Sequence, residues 1–316
     1  MNVVCMGETL IDFVCTDAQT SMADSTHFIK KTGGAPANVA ACIAKLGGSS
    51  LFAGAVGPDP FGDCLVNVLK DYGVKTSYLK RSDKPTTLAF ISLMADGERD
   101  FVFNRGADGD YSLTQAEIDE MLNNSILHLG AATALLGDKL YNTYLKTAQT
   151  AHKNGQLISF DPNYRVDLWP ERLGEFVEKS LAFIKLADIV KVSEEELELL
   201  TKHSDLEQGC DMLHRLGVKV VTVTIGAKGC YLSTTEQKSI VPAYQIKPID
   251  TTGAGDSFIG AFLYLLAQQP TEDYQTLTEY IRFANKVSGL VCEHYGPMTG
   301  LTDYQTIMQT ERQLRS

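Results

Sequence analysis

The sequence predicts an α/β fold: a mostly parallel central sheet with helices on both faces, and a small antiparallel β patch beside it. Three observations carry this. Apolar runs of strand length alternate with helix-length stretches across short joints. Glycines close the helical stretches, at Gly47-Gly48, Gly73 and Gly155, where a left-handed cap favours them. One region, 87–104, breaks the rhythm with two strand-like runs around Ala95-Asp96-Gly97-Glu98, and Asp-Gly between such runs is a hairpin signal.

In chain order, 2–6 reads as a buried strand, because it is almost wholly apolar. The stretch 36–46 is a helix of small and apolar residues with Pro36 in its first turn, a position proline favours. Strand 51–56 follows, then helix 61–72, strand 126–129, helix 138–154 and strand 157–160. Helix 171–185 leads to strands 189–192 and 220–225, with helices 194–201 and 205–216 between them. The last two helices are 256–268, stopped by Pro270, and 278–292. The segment 13–31 is poor in helix signals. We group it with 87–104 outside the main sheet, as a lid or a plain edge hairpin. No repeat, linker or low-complexity tract divides the chain, so 1–316 is expected to be one domain with a lid from about 13–32 and 86–105.

The composition excludes several classes of function. A formal net charge of −11 leaves no basic surface for nucleic acid or an anionic membrane. No apolar run approaches the roughly 20 residues of a spanning helix, and no signal peptide is read at the start. The seven cysteines form no CxxC pair and lack a histidine at ligand spacing, so they read as buried apolar groups in a reducing, cytoplasmic setting. The Walker P-loop, the dinucleotide G-x-G-x-x-G, the G-x-S-x-G elbow and H-E-x-x-H are all absent.

Two constellations carry chemistry. The first is Asp250-Thr251-Thr252-Gly253-Ala254-Gly255-Asp256, running into an apolar helix. Unpaired N–H groups and the dipole at a helix start attract anions, and Gly253, Ala254 and Gly255 let a phosphate come close. Asp256 would repel a resting phosphate unless it takes a proton from an attacking hydroxyl, as transfer to an alcohol requires. Thr and Asp near a helix start are also ordinary caps. The second is Gly33-Gly34-Ala35-Pro36-Ala37-Asn38-Val39-Ala40. There Asn38 can both donate and accept, as sugar hydroxyls demand. Asp12, expected at the end of the first strand, is a second group for gripping hydroxyls at the carboxyl edge of the sheet. Taken singly, Asn38 also reads as a helix-turn residue and Asp12 as a cap.

The pair GGAPANVA and DTTGAGD, some two hundred residues apart, resembles the ribokinase/PfkB family of carbohydrate kinases, and does so over essentially the whole chain. The runs Ser159-Phe160-Asp161-Pro162-Asn163-Tyr164-Arg165-Val166-Asp167-Leu168-Trp169, Val190-Lys191-Val192-Ser193-Glu194-Glu195-Glu196 and Val56-Gly57-Pro58-Asp59-Pro60-Phe61-Gly62 make it most similar to the fructokinases of that family.

The resemblance implies a ribokinase-like fold, ATP and Mg2+ as cofactors, and transfer to a primary hydroxyl of a ketohexose, most of all fructose. It implies Asp256 as base and the amides of Gly253, Ala254, Gly255 and Asp256 as anion hole. Asp12, Gly33, Gly34 and Asn38 would hold the sugar. Asn163 and Arg165 would face the phosphates or the sugar's far end, and Arg105 would contact sugar or product. Lys191, Ser193, Thr224, Gly226, Lys228 and Gly229 would line the ATP site, with Asn285 near the adenine. Glu196 matches the acid of an N-x-x-E motif that organises magnesium through water, with Ser193 in place of the Asn. Asp250 and Thr252 match positions that hold a monovalent cation, potassium, in some relatives. The region 130–132 lacks the acid with which ribokinases grip ribose. Relatives often dimerise by pairing lids, and the alternation from Leu88 to Leu93 is apolar on both faces, so a homodimer through the lid is expected. Kinases of the same family for 2-keto-3-deoxygluconate, ribose or an aminoimidazole riboside stay open. So does a silent sugar-binding regulator, although the base and the glycines are all present.

Overall fold

The computed structural model describes residues 1–17, 20–93 and 99–310. The chain opens with β1 (Asn2–Met6), β2 (Leu10–Cys15), β3 (Phe28–Gly33) and α1 (Ala35–Lys45), then β4 (Ser50–Val56), α2 (Pro60–Asp71) and β5 (Lys75–Arg81). Asp59 caps α2 by accepting from Gly62 N at 2.9 Å, with Pro60 in the first turn. Next come β6 (Leu88–Leu93), β7 (Arg99–Asn104), α3 (Gln115–Leu122), β8 (Ser125–Gly130), α4 (Asp138–Lys153), β9 (Ile158–Asp161) and α5 (Leu173–Ile184). The second half adds β10 (Ile189–Ser193), α6 (Glu194–Thr201), α7 (Leu206–Arg215), β11 (Val220–Thr224), β12 (Gly229–Thr234) and β13 (Lys238–Pro242). It closes with α8 (Ala254–Gln268), α9 (Tyr274–Cys292) and α10 (Tyr304–Gln309).

Among the described residues nine strands form the main sheet, in the order β13-β12-β11-β10-β9-β8-β1-β4-β5. The strands from β11 through β5 are parallel to their neighbours, and β12 and β13 add an antiparallel edge. Period-two alternation sends successive side chains to opposite faces. Val4 and Met6 of β1 enter one core with Ile118, Leu140, Phe176 and Leu213. Val3 and Cys5 enter the other with Val39, Phe262 and Ile281. Helices α3 to α7 therefore cover one face, and α1, α8 and α9 the other. Strand order reverses at β1, because the chain first builds β4 and β5 on one side and later β8 to β11 on the other. Open α/β sheets bind ligands at the carboxyl ends of the strands flanking such a reversal.

A second sheet has the order β3-β2-β6-β7. Its outer pairs are antiparallel, while the central β2–β6 pair is parallel. Phe13 of β2 stacks on Phe90 at 5.1 Å and meets Phe61 of α2 edge-on at 5.6 Å, which pins this sheet to the body. The Ala95-Asp96-Gly97-Glu98 turn lies outside the described residues.

Several elements differ from expectation. Asp12 is not at the end of the first strand: β1 stops at Met6, and Asp12 belongs to β2 of the small sheet. Strand β5 was not expected, because an edge strand half open to solvent shows no continuous apolar run. Helix α3 was missed although its capping box, Thr114 with Glu117, is legible. Five of the seven cysteines are buried as expected, but Cys15 and Cys64 are only half-buried. Among the described residues no helix is long and apolar enough to cross a membrane.

Candidate active site

A cleft of 560 Å³ opens at the carboxyl ends of β1 and β8 to β11, between the main sheet and the small one. Its floor begins where β1 ends. Gly34, at φ +108, turns the chain from β3 into α1, and a Cβ there would lie 2.7 Å from Thr9 Cα and nearer still to the Glu8 carbonyl oxygen. A Cβ at Gly33 would strike the Asp12 carboxylate. The double glycine thus brings β3, Asp12 and the start of α1 into contact, as its motif requires. Burial pushes Asp12 up to about 6, against the downward pull of Lys31 and Arg165.

Asn38, one turn into α1, donates from Nδ2 to Asp256 Oδ2 at 2.8 Å. Asp256 sits in the first turn of α8, whose cap residue Gly253 has φ +79. No side chain caps this helix, and the N–H groups of Gly255 and Asp256 find no acceptor among the described residues. Burial raises the pKa of Asp256, while Asn38, Arg165 and Lys191 lower it. The carbonyl oxygens Asn38 Oδ1 and Asn163 Oδ1 are buried without a partner, and both residues line the cleft. Such orphaned acceptors beside a carboxylate suit a ligand that brings hydroxyl donors.

The run after β9 supplies the next wall. Trp169 is buried against Phe176 at 5.4 Å and anchors the loop, so that Asn163 (φ +48), Tyr164 and Arg165 face the cleft. Asp161 Oδ1 accepts from Asn163 N at 3.1 Å, and its Oδ2 lies 3.0 Å from Lys191 Nζ. Glu196 Oε2 accepts from Ser193 N at 2.8 Å and Oε1 from Tyr164 N at 2.7 Å. Ser193 caps α6 by accepting from Glu196 N at 3.1 Å. A serine caps a helix as well as an asparagine does, which accounts for Ser193 at the head of the N-x-x-E pattern. Thr224 closes this side of the cleft, its hydroxyl donating to Val192 O at 3.3 Å.

The structure brings Asp12, Gly33, Gly34, Asn38, Asn163, Arg165, Lys191, Ser193, Glu196, Thr224, Thr252, Gly253, Gly255 and Asp256 to one cleft. Ala254, Gly226, Lys228, Gly229, Asp250 and Asn285 are not among its lining residues. Asn285 donates to Val241 O and Pro242 O at 3.0 and 3.2 Å, tying α9 to β13. Asp250 accepts from Thr252 N and Gly296 N, both at 2.9 Å, with Lys31 at 3.5 Å; burial is the largest single influence and pushes its pKa up, but Thr252, Gly296 and Lys31 together outweigh it and hold the carboxyl down to about 2. Arg105 lies off the lining. It reaches Asp138 at 3.0 Å, Asp108 at 3.4 Å and the carbonyls of Thr133 and Gly137. Asp108 also accepts from the Thr87 hydroxyl, so one buried carboxylate joins the two ends of the β6–β7 hairpin.

Sequence reasoning missed Glu8. Its Oε1 accepts from Ala35 N at 2.9 Å and its Oε2 faces the Thr133 hydroxyl at 3.4 Å, which ties β1 to α1 and to the loop after β8. Burial pushes it from 4.5 up to about 8. Between those values the unfolded chain is ionised at this position and the folded one neutral. Stability attributable to Glu8 is therefore complete below pH 4.5 and drains away as pH rises through about 8. Glu8→Gln, neutral throughout, should gain on the parent protein in thermal melts as pH climbs from about 5 to 8, by up to a few kcal/mol. A difference in Tm that is flat across this range would show that Glu8 is ionised in the fold.

The profile described as pfkB family carbohydrate kinase matches residues 1–303. A protein of Oryza sativa subsp. japonica named Fructokinase-1 is 40% identical over 304 residues, which cover 95% of this chain and 94% of that one. The structure of fructokinase from Vibrio cholerae O395 in its fructose, ADP and calcium ion bound form superposes with a TM-score of 0.85 at 32% identity, covering 97% of each chain. Aminoimidazole riboside kinase from Salmonella enterica, complexed with aminoimidazole riboside and an ATP analog, gives 0.82 at 28% identity, covering 98% of this chain and 99% of that one.

Proposed function

The chain belongs to the pfkB family of carbohydrate kinases and is a fructokinase-type sugar kinase, and from that premise we propose that it moves the γ-phosphoryl group of ATP to a primary hydroxyl of fructose, giving fructose 6-phosphate. The observation that carries this reading is Asp256 itself. A buried carboxylate at the uncapped, amide-presenting start of α8 lies within hydrogen-bond reach of Asn38 on the other signature.

Fructose rests on Asp12, Gly33, Gly34 and Asn38, with its reacting hydroxyl toward Asp256. The carboxylate takes the hydroxyl proton, the oxygen bonds to the γ-phosphorus, and the bond from that phosphorus to the β-phosphate oxygen breaks. Charge on the transferring oxygens meets the amides of Gly253 to Asp256. A base with a pKa raised by burial sits nearer the working pH than a free carboxylate, and so transfers the proton more effectively. ATP extends from Lys191 and Ser193 past Thr224 toward Gly226, Lys228, Gly229 and Asn285. Glu196 fits a role in holding magnesium through water: backbone amides take two of its roughly four lone-pair sites, and Glu195 lines the cleft beside it. When bound, the ion would neutralise phosphate charge. Asp250 and Thr252 are read as the monovalent-cation position and Arg105 as a contact reached from outside the cleft wall.

The small sheet is read as a lid over the sugar, with Ala89, Ile91, Phe101 and Phe103 as its ceiling. Its two edge strands expose Ile29 and Val102, which supports pairing of two copies there.

The test is ADP release with Mg-ATP and a panel of fructose, ribose, glucose, 2-keto-3-deoxygluconate and aminoimidazole riboside. Fructose should give the highest kcat/KM. A higher value for another member moves the acceptor, and no turnover on any sugar that still raises Tm would favour a silent regulator.

A further inference from the structure

We infer that Lys191 is a catalytic cation: its ammonium, fixed by Asp161 against the start of α8, contacts the phosphoryl group in flight. This rests on the kinase reading above and adds to it a charge that the helix amides alone do not provide.

Three placements support it. Ile189 and Val190 pair with Ser159 and Phe160, so Lys191 comes level with Asp161 on the next strand, and the 3.0 Å ion pair between them is almost wholly buried. Asp161 is itself held by the amide of Asn163. The ammonium therefore has one position rather than the many open to an exposed lysine.

That position is beside Gly255. A Cβ on residue 255 would lie 2.9 Å from Lys191 Nζ and 3.4 Å from Cε. Gly255 lies within the helix and not in the left-handed region, so its backbone does not call for glycine. The space kept free by the missing methyl is the space in which the lysine approaches the helix. The two glycines of the motif thus do different work: Gly253 supplies a positive φ, and Gly255 admits a cation.

The third placement is electrostatic. The start of a helix carries partial positive charge, which makes it a poor neighbour for a lysine. Here two amides without acceptors among the described residues and a buried ammonium line the same cleft, and the ammonium lies next to the residue that carries one of those amides. Asp161, Glu196 and Asp256 keep Lys191 charged against the downward push of burial. A group with three negatively charged oxygens satisfies all of these donors at once, and more fully as its charge shifts outward during transfer.

The experiment compares the parent protein with Lys191→Met, with the double variant Lys191→Met/Asp161→Asn, which leaves no lone buried charge, and with Asp256→Asn. Initial rates give kcat and KM. Thermal melts are taken with no ligand, with ADP, fructose and aluminium fluoride as a mimic of the phosphoryl group in flight, and with inorganic sulfate. Removal of Lys191 should lower kcat by roughly 10²–10³ with KM for fructose within about threefold. It should abolish the stabilisation by aluminium fluoride and by sulfate, while Asp256→Asn keeps both. A kcat within about threefold of the parent, or intact stabilisation by the mimic, overturns the assignment. So does a loss of rate that merely tracks a lower ligand-free Tm in the double variant, which is the mark of a structural ion pair. If the parent protein turns over no sugar, the kinase reading has failed, and sulfate alone decides: a shift lost with Lys191 upholds the anion contact, and an equal shift in both proteins ends it.

Discussion

Asp256→Asn should lower kcat by roughly 10²–10⁴ while KM for the sugar stays within a few-fold, if Asp256 is the general base. The asparagine is nearly the same shape, and its carbonyl oxygen can still accept from Asn38 Nδ2, the bond made at 2.8 Å in the parent protein. What is lost is the capacity to take a proton. The pH profile offers a second reading of the same residue. Because burial lifts this carboxyl above the ordinary 3.8, the acidic limb of kcat/KM should fall as pH drops through the raised value, where the base becomes protonated. In the asparagine variant the part of that limb due to residue 256 should vanish, leaving only the titration of Asp12, which burial holds up to about 6. A variant that keeps a near-normal rate, with sugar binding intact, would remove Asp256 from the reaction.

Gly34→Ala should be among the most damaging single changes outside the reacting groups. The residue combines a positive φ with backbone on the side a methyl would fill: Thr9 Cα at 2.7 Å and the Glu8 carbonyl oxygen closer still. A strained backbone costs about 1–3 kcal/mol and overpacking about as much again. Together these are a large part of the 5–15 kcal/mol typical of a folded domain. Gly47 is the control. It also has a positive φ, +92, but nothing lies within 4 Å of its Cβ position, so Gly47→Ala should cost only about 1 kcal/mol. Denaturant midpoints of the two variants test this. Equal losses would mean that the corner at Glu8-Thr9 can move aside, and that the double glycine is not set by close approach.

The parts of the site that the sequence reveals are those whose chemistry is local. A glycine pair before a helix, a proline in the first turn and an acid just inside an apolar helix each follow from neighbours in the chain, and α1 and α8 begin where those signals lie. What stays hidden depends on register between distant strands. Glu8 looks like any polar residue after a strand, and only the meeting of β1, α1 and the loop after β8 makes it a buried acid. Asp161 and Lys191 are thirty residues apart and become partners through the pairing of β9 with β10. Asp12 lies one strand later than the sequence suggests, because the short segment between β1 and β2 carries only Gly7 as a turn signal. Edge strands β5 and β13 are polar on one side, and an apolar-run criterion passes over them.

The parallel β2–β6 pair bears on how the molecule assembles. Ile11 to Val14 pair with Leu88 to Ile91, with α1, β4, α2 and β5 all lying between them in the chain. Neither hairpin of the small sheet can find the other until that intervening unit has folded and brought their bases together, because closing so long a loop without other contacts is entropically costly. The small sheet should therefore be a late and separately openable cooperative unit. Its amides should exchange with deuterium through local opening well before those of β1 and β8, and bound sugar should slow exchange there more than anywhere in the outer helices. If the small sheet acts as the lid proposed above, the joint that delays it during folding is also the one at which it would open, against the Phe13–Phe61 contact that holds it to the body.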